Sequence, residues 1–151
     1  MPILQQIEAL EKALVKAKKI SPAVSEKGID WHIDHSLRVM IYASKALINS
    51  NPDEYKWNFN KWRFIIFLKG SIPRGKGRAP KRVLPKETIT TEEIQLQLTE
   101  AKELIASLKS LPKKSNFDHP LFGMLKRDKS IKFIGMHTQH HINIINDIIN
   151  A

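Results

Sequence analysis

With 151 residues and 42% hydrophobic side chains, the chain is long enough to form one globular domain over residues 1–151 and too apolar for wholesale disorder. The absence of cysteine excludes disulfides, zinc–thiolate sites and thiol nucleophiles, so only His, Asp or Glu could ligate a metal ion. A net charge of +10 is compatible with a nucleic-acid partner. Residues 69–86, however, carry seven of these charges and no acid, so most of the excess positive charge lies in one loop.

The chain shows no sign of a membrane segment. No run approaches the roughly 18 consecutive apolar residues of a transmembrane helix. The N-terminus MPILQQIEALEKAL is amphipathic and carries acids early, unlike a signal peptide. We therefore expect a cytoplasmic protein that acts without a membrane partner.

Apolar residues recur at helical spacing through the first half of the chain. Residues 3–19 predict an amphipathic helix, and residues 25–50 predict a long, largely buried one. The Trp-rich segment YKWNFNKWRFIIFLK, residues 55–69, predicts another apolar helix. Residues 70–87 contain three Gly and three Pro and are expected to form an irregular loop.

Two further helices complete the pattern. Thr90 and Glu93 form a capping box at the start of the first of them. Residues 111–123 are expected to form a second loop, and Asp128 is expected to cap the last helix. Because no segment alternates with a two-residue period between hairpin turns, the sequence predicts an all-α fold. The expected architecture is a four-helix up-down-up-down bundle with one elaborated crossover loop.

The last helix places histidines on its apolar face. At about 100° per residue, His137 and His141 lie in the middle of the apolar stripe and His140 lies on its edge. Two buried imidazoles one turn apart are costly unless their nitrogens find partners. An i, i+4 pair is a common way for one helix to offer two metal ligands. A hydrogen-bonded layer of core histidines is the alternative explanation.

The segment WHIDHSL supplies further imidazoles from the long helix. His35 is centred on an apolar stripe and His32 lies near its edge, so we prefer His35 as a third ligand and keep His32 as the alternate. Imidazoles from facing helices would form a metal site with a coordination position left open, as in catalytic sites. His32 and His140 are also candidates for acid–base groups beside the ligands. Solvated histidines near a helix start are the competing interpretation.

Other conspicuous residues favour structural roles. His119, which precedes a proline in FDHPLFG, is expected to order its loop by a hydrogen bond. Trp31, Trp57 and Trp62 are expected to pack in the core and at its rim. Asp34 points about 100° away from the histidine that follows it and is expected at the surface.

The basic loop of residues 69–86 has more than one interpretation. A solvated loop whose charges keep it in water is the plainest. Arg74, Lys76 and Arg78 could instead attract an anionic substrate. Nucleic acid is less favoured, because the loop lacks interleaved aromatic residues and no helix is basic along one face. A homodimer formed through exposed parts of the Trp-rich segment is compatible with each interpretation.

Three motifs resemble the DinB/YfiT-like superfamily, and within it a branch of small bacterial proteins of unknown function. They are WHIDHSL, IPRGKGRAPKRV, and DHPLFG followed by HTQHHINII, and the likeness spans about residues 20–148. The resemblance implies a four-helix bundle with a divalent metal ion (nickel, zinc or similar) held by a His of the second helix and an HxxxH pair of the last. In this chain the HxxxH pair falls on His137 and His141, and the earlier His is best matched by His35.

The resemblance also implies an enzyme. The superfamily includes thiol-dependent transferases and isomerases, and many members are described as metal-dependent hydrolases. The expected substrate is therefore a small molecule, either anionic or a low-molecular-weight thiol. The alternative is a non-catalytic helical binding module whose basic loop, residues 69–86, binds an anionic ligand or nucleic acid.

Overall fold

The computed structural model describes residues 1–75 and 78–151, and the chain is mostly helical over this range, as the sequence predicts. The α-helices found there are α1 (Ile3–Ala13), α2 (Ile29–Asn49), α3 (Lys61–Lys69), α4 (Thr91–Ser107) and α5 (Arg127–Asn150). Within the described residues, none of these helices combines the length and the hydropathy needed to cross a bilayer.

The four longer helices share one hydrophobic core. Helix α2 packs against both α4 and α5, and α1 packs against the same two helices. The buried side chains that hold these contacts include Ile7, Leu10, Ile33, Leu37, Met40, Leu98, Ile134 and Ile148. Burying an aliphatic side chain of this size stabilises the folded state by roughly 1.5–3 kcal/mol. The same packing brings one face of α2 opposite one face of α5, where the histidines lie.

The first three helices are shorter than the periodicity predicts. Helix α1 ends at Ala13 and is followed by a 3-10 turn, Leu14–Lys16. Helix α2 begins only after Gly28, whose backbone is extended. Helix α3 begins at Lys61 because the side chain of Asn60 accepts a hydrogen bond from the backbone N–H of Arg63, at 2.8 Å.

The predicted start of α4 is confirmed and that of α5 is wrong. Thr90 Oγ1 accepts a hydrogen bond from the backbone N–H of Glu93 at 3.2 Å, as expected for the first bond of a capping box. Helix α5 begins at Arg127 with Lys126 as its N-cap, so Asp128 lies in the first turn and does not cap the helix. Strand β2 ends at Lys126 and α5 begins at the next residue, and Lys126 makes no side-chain capping hydrogen bond.

The segment expected to be a second loop contains a β-hairpin. Strands β1 (Asn116–His119) and β2 (Gly123–Lys126) pair antiparallel, with Phe117 opposite Leu125. Gly123 adopts a positive φ of 66° where the turn re-enters β2, a conformation that favours glycine. His119 Nδ1 accepts hydrogen bonds from the backbone N–H groups of Leu121 (3.0 Å) and Phe122 (3.2 Å). The prediction that His119 orders its loop is therefore confirmed.

Candidate metal centre

Three histidines from two helices meet in one group between α2 and α5. One ring nitrogen each of His35, His137 and His141 lies within 4.8 Å of the other two. The ring centroids are 4.7 to 5.1 Å apart. His137 and His141 are one turn apart on α5 and so project from the same face of that helix. We call these three residues the His cluster; His35 and His141 are buried, and His137 is half-buried.

The ring of His35 is oriented by the basic loop. Its Nδ1 lies 2.8 Å from the carbonyl oxygen of Val83. A carbonyl oxygen can only accept, so Nδ1 carries the proton and Nε2 keeps its lone pair. Backbone carbonyls commonly fix metal-binding imidazoles in this way. Trp31 stacks on the other side, with ring centroids 5.0 Å apart and 24° between the planes.

His32 lies beside the His cluster, and both of its ring nitrogens contact other side chains. Its Nδ1 is 3.0 Å from Nδ1 of His141, and its Nε2 is 3.0 Å from Oγ of Ser25. Both contacts are within hydrogen-bond distance. His32 is therefore placed to orient a member of the cluster, and the three nitrogens that converge come from the other histidines.

His137 has a buried nitrogen that the protein leaves without a partner. Within the described residues, no hydrogen bond reaches its Nδ1. Leaving a buried polar atom unsatisfied costs roughly 1–3 kcal/mol. In the described part of the chain this Nδ1 has no hydrogen bond that would compete with binding a cation, and this suits a metal ligand better than a core histidine.

The electrostatic environment keeps the cluster uncharged. Burial lowers the pKa of His35, His137 and His141 below the usual value for histidine, and repulsion between charged rings lowers the pKa of the latter two further. Imidazole must be neutral to bind a metal ion, so protons do not compete for these sites near pH 7. Three neutral nitrogens suit zinc, nickel or iron, and they leave the charge of the ion available to an anionic ligand.

The His cluster lies in the wall of a cavity of about 490 Å³. Much of the lining is aromatic or apolar and includes Trp31, Tyr42, Ile72, Phe117, Phe122 and Phe133. A volume of this order fits a small molecule. His119 also lines the cavity, through a ring that stacks on Phe122 with centroids 4.4 Å apart.

His140 lines the same cavity and is oriented by a backbone carbonyl. Its Nδ1 lies 3.0 Å from the carbonyl oxygen of Ile72, so Nδ1 donates and Nε2 keeps its lone pair. The side chain is half-buried in the cavity wall. Burial lowers the pKa of His140, and the nearby charge of Arg74 lowers it further, although the bond to Ile72 acts in the opposite direction. The neutral ring therefore predominates at pH 7.

The structure separates the predicted anion-binding residues. Arg78 lines the cavity. Arg74 instead forms an ion pair with Asp147 of α5, with 2.7 Å between Nη2 and Oδ2, and it does not line the cavity. Lys76 lies outside the described residues. Arg82, which the sequence did not single out, also lines the cavity and has its guanidinium 5.0 Å from the centre of the Tyr42 ring.

The structure also corrects one prediction and adds contacts that the sequence hides. The sequence predicts Asp34 at the surface, but it is fully buried, paired with Arg38, and accepts a hydrogen bond from Nε2 of Gln97 at 2.8 Å. Helix α4 covers this face of α2, which a helical wheel of α2 alone does not reveal. The carbonyl groups of Ile72 and Val83 were missed because the role of a backbone atom leaves no trace in residue identity.

Comparison with known proteins gives no information on function. No family model, no curated protein and no solved structure matches the chain. The resemblance to the DinB/YfiT-like superfamily therefore stays a prediction from three motifs. The geometry of the three imidazoles and the residues that line the cavity beside them are the evidence for function.

Proposed function

We propose that this protein is a DinB-like metal-dependent enzyme that acts on a small molecule. In this proposal His35, His137 and His141 hold a divalent ion, and the aromatic cavity binds the substrate. The observation that carries the proposal is the convergence of three imidazole nitrogens, from two helices, within 4.8 Å of one another. The packing of α1 and α2 against α4 and α5 supports the four-helix bundle that the resemblance implies.

The metal ion would supply the electrophile of the reaction. When bound, a divalent ion polarises a substrate oxygen or activates a nucleophile. Nickel, zinc and related ions fit the three imidazoles, because nitrogen ligands suit several of them. Hydrolysis and thiol-dependent group transfer are the two reaction classes that we propose to test.

The residues around the His cluster would orient the substrate and move a proton. Nε2 of His140 keeps a lone pair in the cavity wall and would accept a proton from the substrate or from a nucleophile. The aromatic walls would exclude water around the reacting groups. Arg78 would attract an anionic group of the substrate toward the cavity.

The placement of the basic loop favours an enzyme over a nucleic-acid-binding module. Carbonyl groups of this loop hold His35 and His140, and several of its side chains line the same cavity. Arg74 is already paired with Asp147. A loop that served only as a phosphate contact would have no reason to orient two histidines.

Metal content is the first test. We expect protein produced without a His tag to contain about one divalent ion per chain by elemental analysis, and we expect H35A, H137A and H141A to lose it. H119N is the matched control, because it removes a cavity histidine that lies outside the His cluster. Metal-free wild-type protein that also fails to bind added zinc or nickel would contradict the proposal.

Activity is the second test. Metal-loaded protein would be screened against ester, amide and phosphoester substrates and for thiol transfer to electrophiles. We expect H140Q to retain its metal and to lose about 10²–10⁴-fold in turnover, the usual contribution of a general base. An H140Q variant with full activity would remove His140 from the mechanism, and a metal-bound protein inactive throughout would favour the binding module.

A further inference from the structure

An apolar surface that shares no residue with the cavity of the His cluster has no role in the proposed reaction. It is formed by α3 and the segment before it. Trp57, Phe64 and Leu68 expose 71%, 61% and 78% of their surface, and Phe59 and Trp62 are also exposed. We call these five residues the aromatic patch. Large exposed apolar surfaces of this kind usually mark an interaction site.

The surroundings of the aromatic patch are positively charged. The groove beside it is lined by Arg63, Lys126 and Lys129, and no carboxylate is among its lining residues in the described part of the chain. Residues 55–70 contain four Lys or Arg and no acid. The nearest acid along α5, Asp128, is paired with Arg127. The partner of this surface is therefore expected to be negatively charged.

The arrangement argues against a second copy of the chain as the partner. A two-fold interface would place each aromatic patch against its own counterpart. Lys126 and Lys129 would then face the same residues of the other copy, and like charges brought together oppose association. A bilayer with anionic lipids avoids this repulsion because its headgroups are negative. Its apolar interior can also accept the exposed apolar side chains.

We propose that the aromatic patch and the lysines beside it dock the protein on an anionic lipid surface. Trp and Phe side chains are favoured at the boundary between headgroups and acyl chains, and nearby lysines are attracted to anionic headgroups. This contact lies on the surface and needs no membrane-spanning helix. It departs from the expectation of no membrane partner, which considered only membrane-spanning segments and signal peptides.

Helix α3 is held in place for this role by its contacts with the hairpin. Arg63 donates to the carbonyl oxygen of Phe122 at 3.1 Å, and Asn60 donates to that of Leu121 at 2.8 Å. Phe67 packs on Phe122 with ring centroids 5.7 Å apart. Ile66 and Phe67 of α3 are buried, whereas Trp62, Phe64 and Leu68 of the same helix stay exposed.

Sedimentation with vesicles tests the docking proposal on the full-length protein. We expect binding to vesicles of phosphatidylserine and phosphatidylcholine, weaker binding in high salt, and little binding to phosphatidylcholine alone. W57S/F64S should reduce the partition coefficient by about tenfold or more. L96S is the matched control, because Leu96 is 72% exposed on α4, away from the groove.

A pair of charge-reversal variants tests whether the lysines beside the aromatic patch bind anionic headgroups. K126E/K129E should abolish the preference for anionic vesicles, whereas K12E/K16E, with the same change in net charge near the N-terminus, should keep it. The thermal midpoint of each variant would establish that it is folded. Absence of vesicle binding by the wild type, or wild-type binding by W57S/F64S, would overturn the proposal. So would a dimer in sizing experiments that W57S/F64S converts to a monomer.

Discussion

The Nδ1 atoms of His32 and His141 face each other at 3.0 Å, within hydrogen-bond distance. If His141 uses Nε2 to bind a metal ion, its Nδ1 carries the proton and donates it to His32. His32 then carries its own proton on Nε2, where Oγ of Ser25 accepts at 3.0 Å. The contacts from Ser25 through His32 thus accommodate the tautomer of His141 that binds metal through Nε2.

Removing His32 should therefore weaken metal binding without abolishing it. We expect H32A to raise the dissociation constant about 10–100-fold, the usual effect of losing a residue that orients a ligand. H35A should instead show no measurable metal binding. Competition titration against a chromogenic chelator measures both constants.

The same titration decides between the two histidines of α2. If H32A lost the metal and H35A retained it, His32 would be the ligand and the roles of the two histidines would be reversed. H119N is the control, and it should bind the metal ion with wild-type affinity. Weaker binding by H119N would mean that the loss of any cavity histidine affects the site.

Metal binding should raise the thermal stability of the folded protein. An ion that binds only the folded state adds about 2.7 kcal/mol at a concentration of 100 Kd. For a domain of this size, that corresponds to a rise in Tm of roughly 5–10 °C. Differential scanning fluorimetry with and without zinc or nickel measures the shift. H137A should show no shift, and an equal shift in H137A would mean that the ion binds elsewhere.

The metal-free protein should lose stability as the pH falls from about 6.5 to 4, in part because of His119. Burial lowers the pKa of His119 to about 4. Between its unfolded pKa near 6.5 and this folded value, the unfolded state binds the proton first, so acid favours unfolding. The shift corresponds to a loss of about 3 kcal/mol over that window.

H119N isolates this contribution. Asparagine offers an oxygen to the backbone N–H groups of Leu121 and Phe122, as Nδ1 of histidine does, and it does not titrate. Urea unfolding at several pH values in the presence of a chelator should give a shallower pH dependence for H119N than for the wild type. Identical slopes would remove His119 as a source of acid sensitivity.

Local periodicity was enough to place the histidines on their helix faces. His137 and His141 were placed on the α5 stripe by their spacing alone. The long helix was found because residues 25–50 contain no proline and carry apolar residues on nearly every face. What the sequence could not show was contact between distant segments. The bond from His35 to the carbonyl of Val83 joins residues 48 positions apart and involves a backbone atom of an apolar residue.

The hairpin was missed for a related reason. Each of its strands has only four residues, which is too short for a two-residue alternation to stand out from a loop. Its stability comes from packing, since Phe117 and Leu125 are buried and His119 satisfies the amides of the turn. Asp34 was misplaced in the same way, because the helix that buries it lies far away in sequence.

The buried position of Asp34 leads to a last prediction, about stability. D34A would leave the guanidinium of Arg38 and the amide of Gln97 without their shared acceptor. We expect the free energy of unfolding to fall by about 2–3 kcal/mol, because groups in a partly buried network would lose their partner. D128A is the matched control, since Asp128 is 73% exposed and pairs with Arg127. It should lose far less stability than D34A, because exposed ion pairs contribute little.

Chemical denaturation of D34A, D128A and D34A/R38A measures these differences. The double variant should recover part of the loss, because it removes the unpaired charge as well as its partner. Metal binding should be unchanged in all three, since Asp34 has its hydrogen-bond partners on α2 and α4 and none in the His cluster. Equal and small losses in D34A and D128A would mean that the buried carboxylate contributes no more than a surface one.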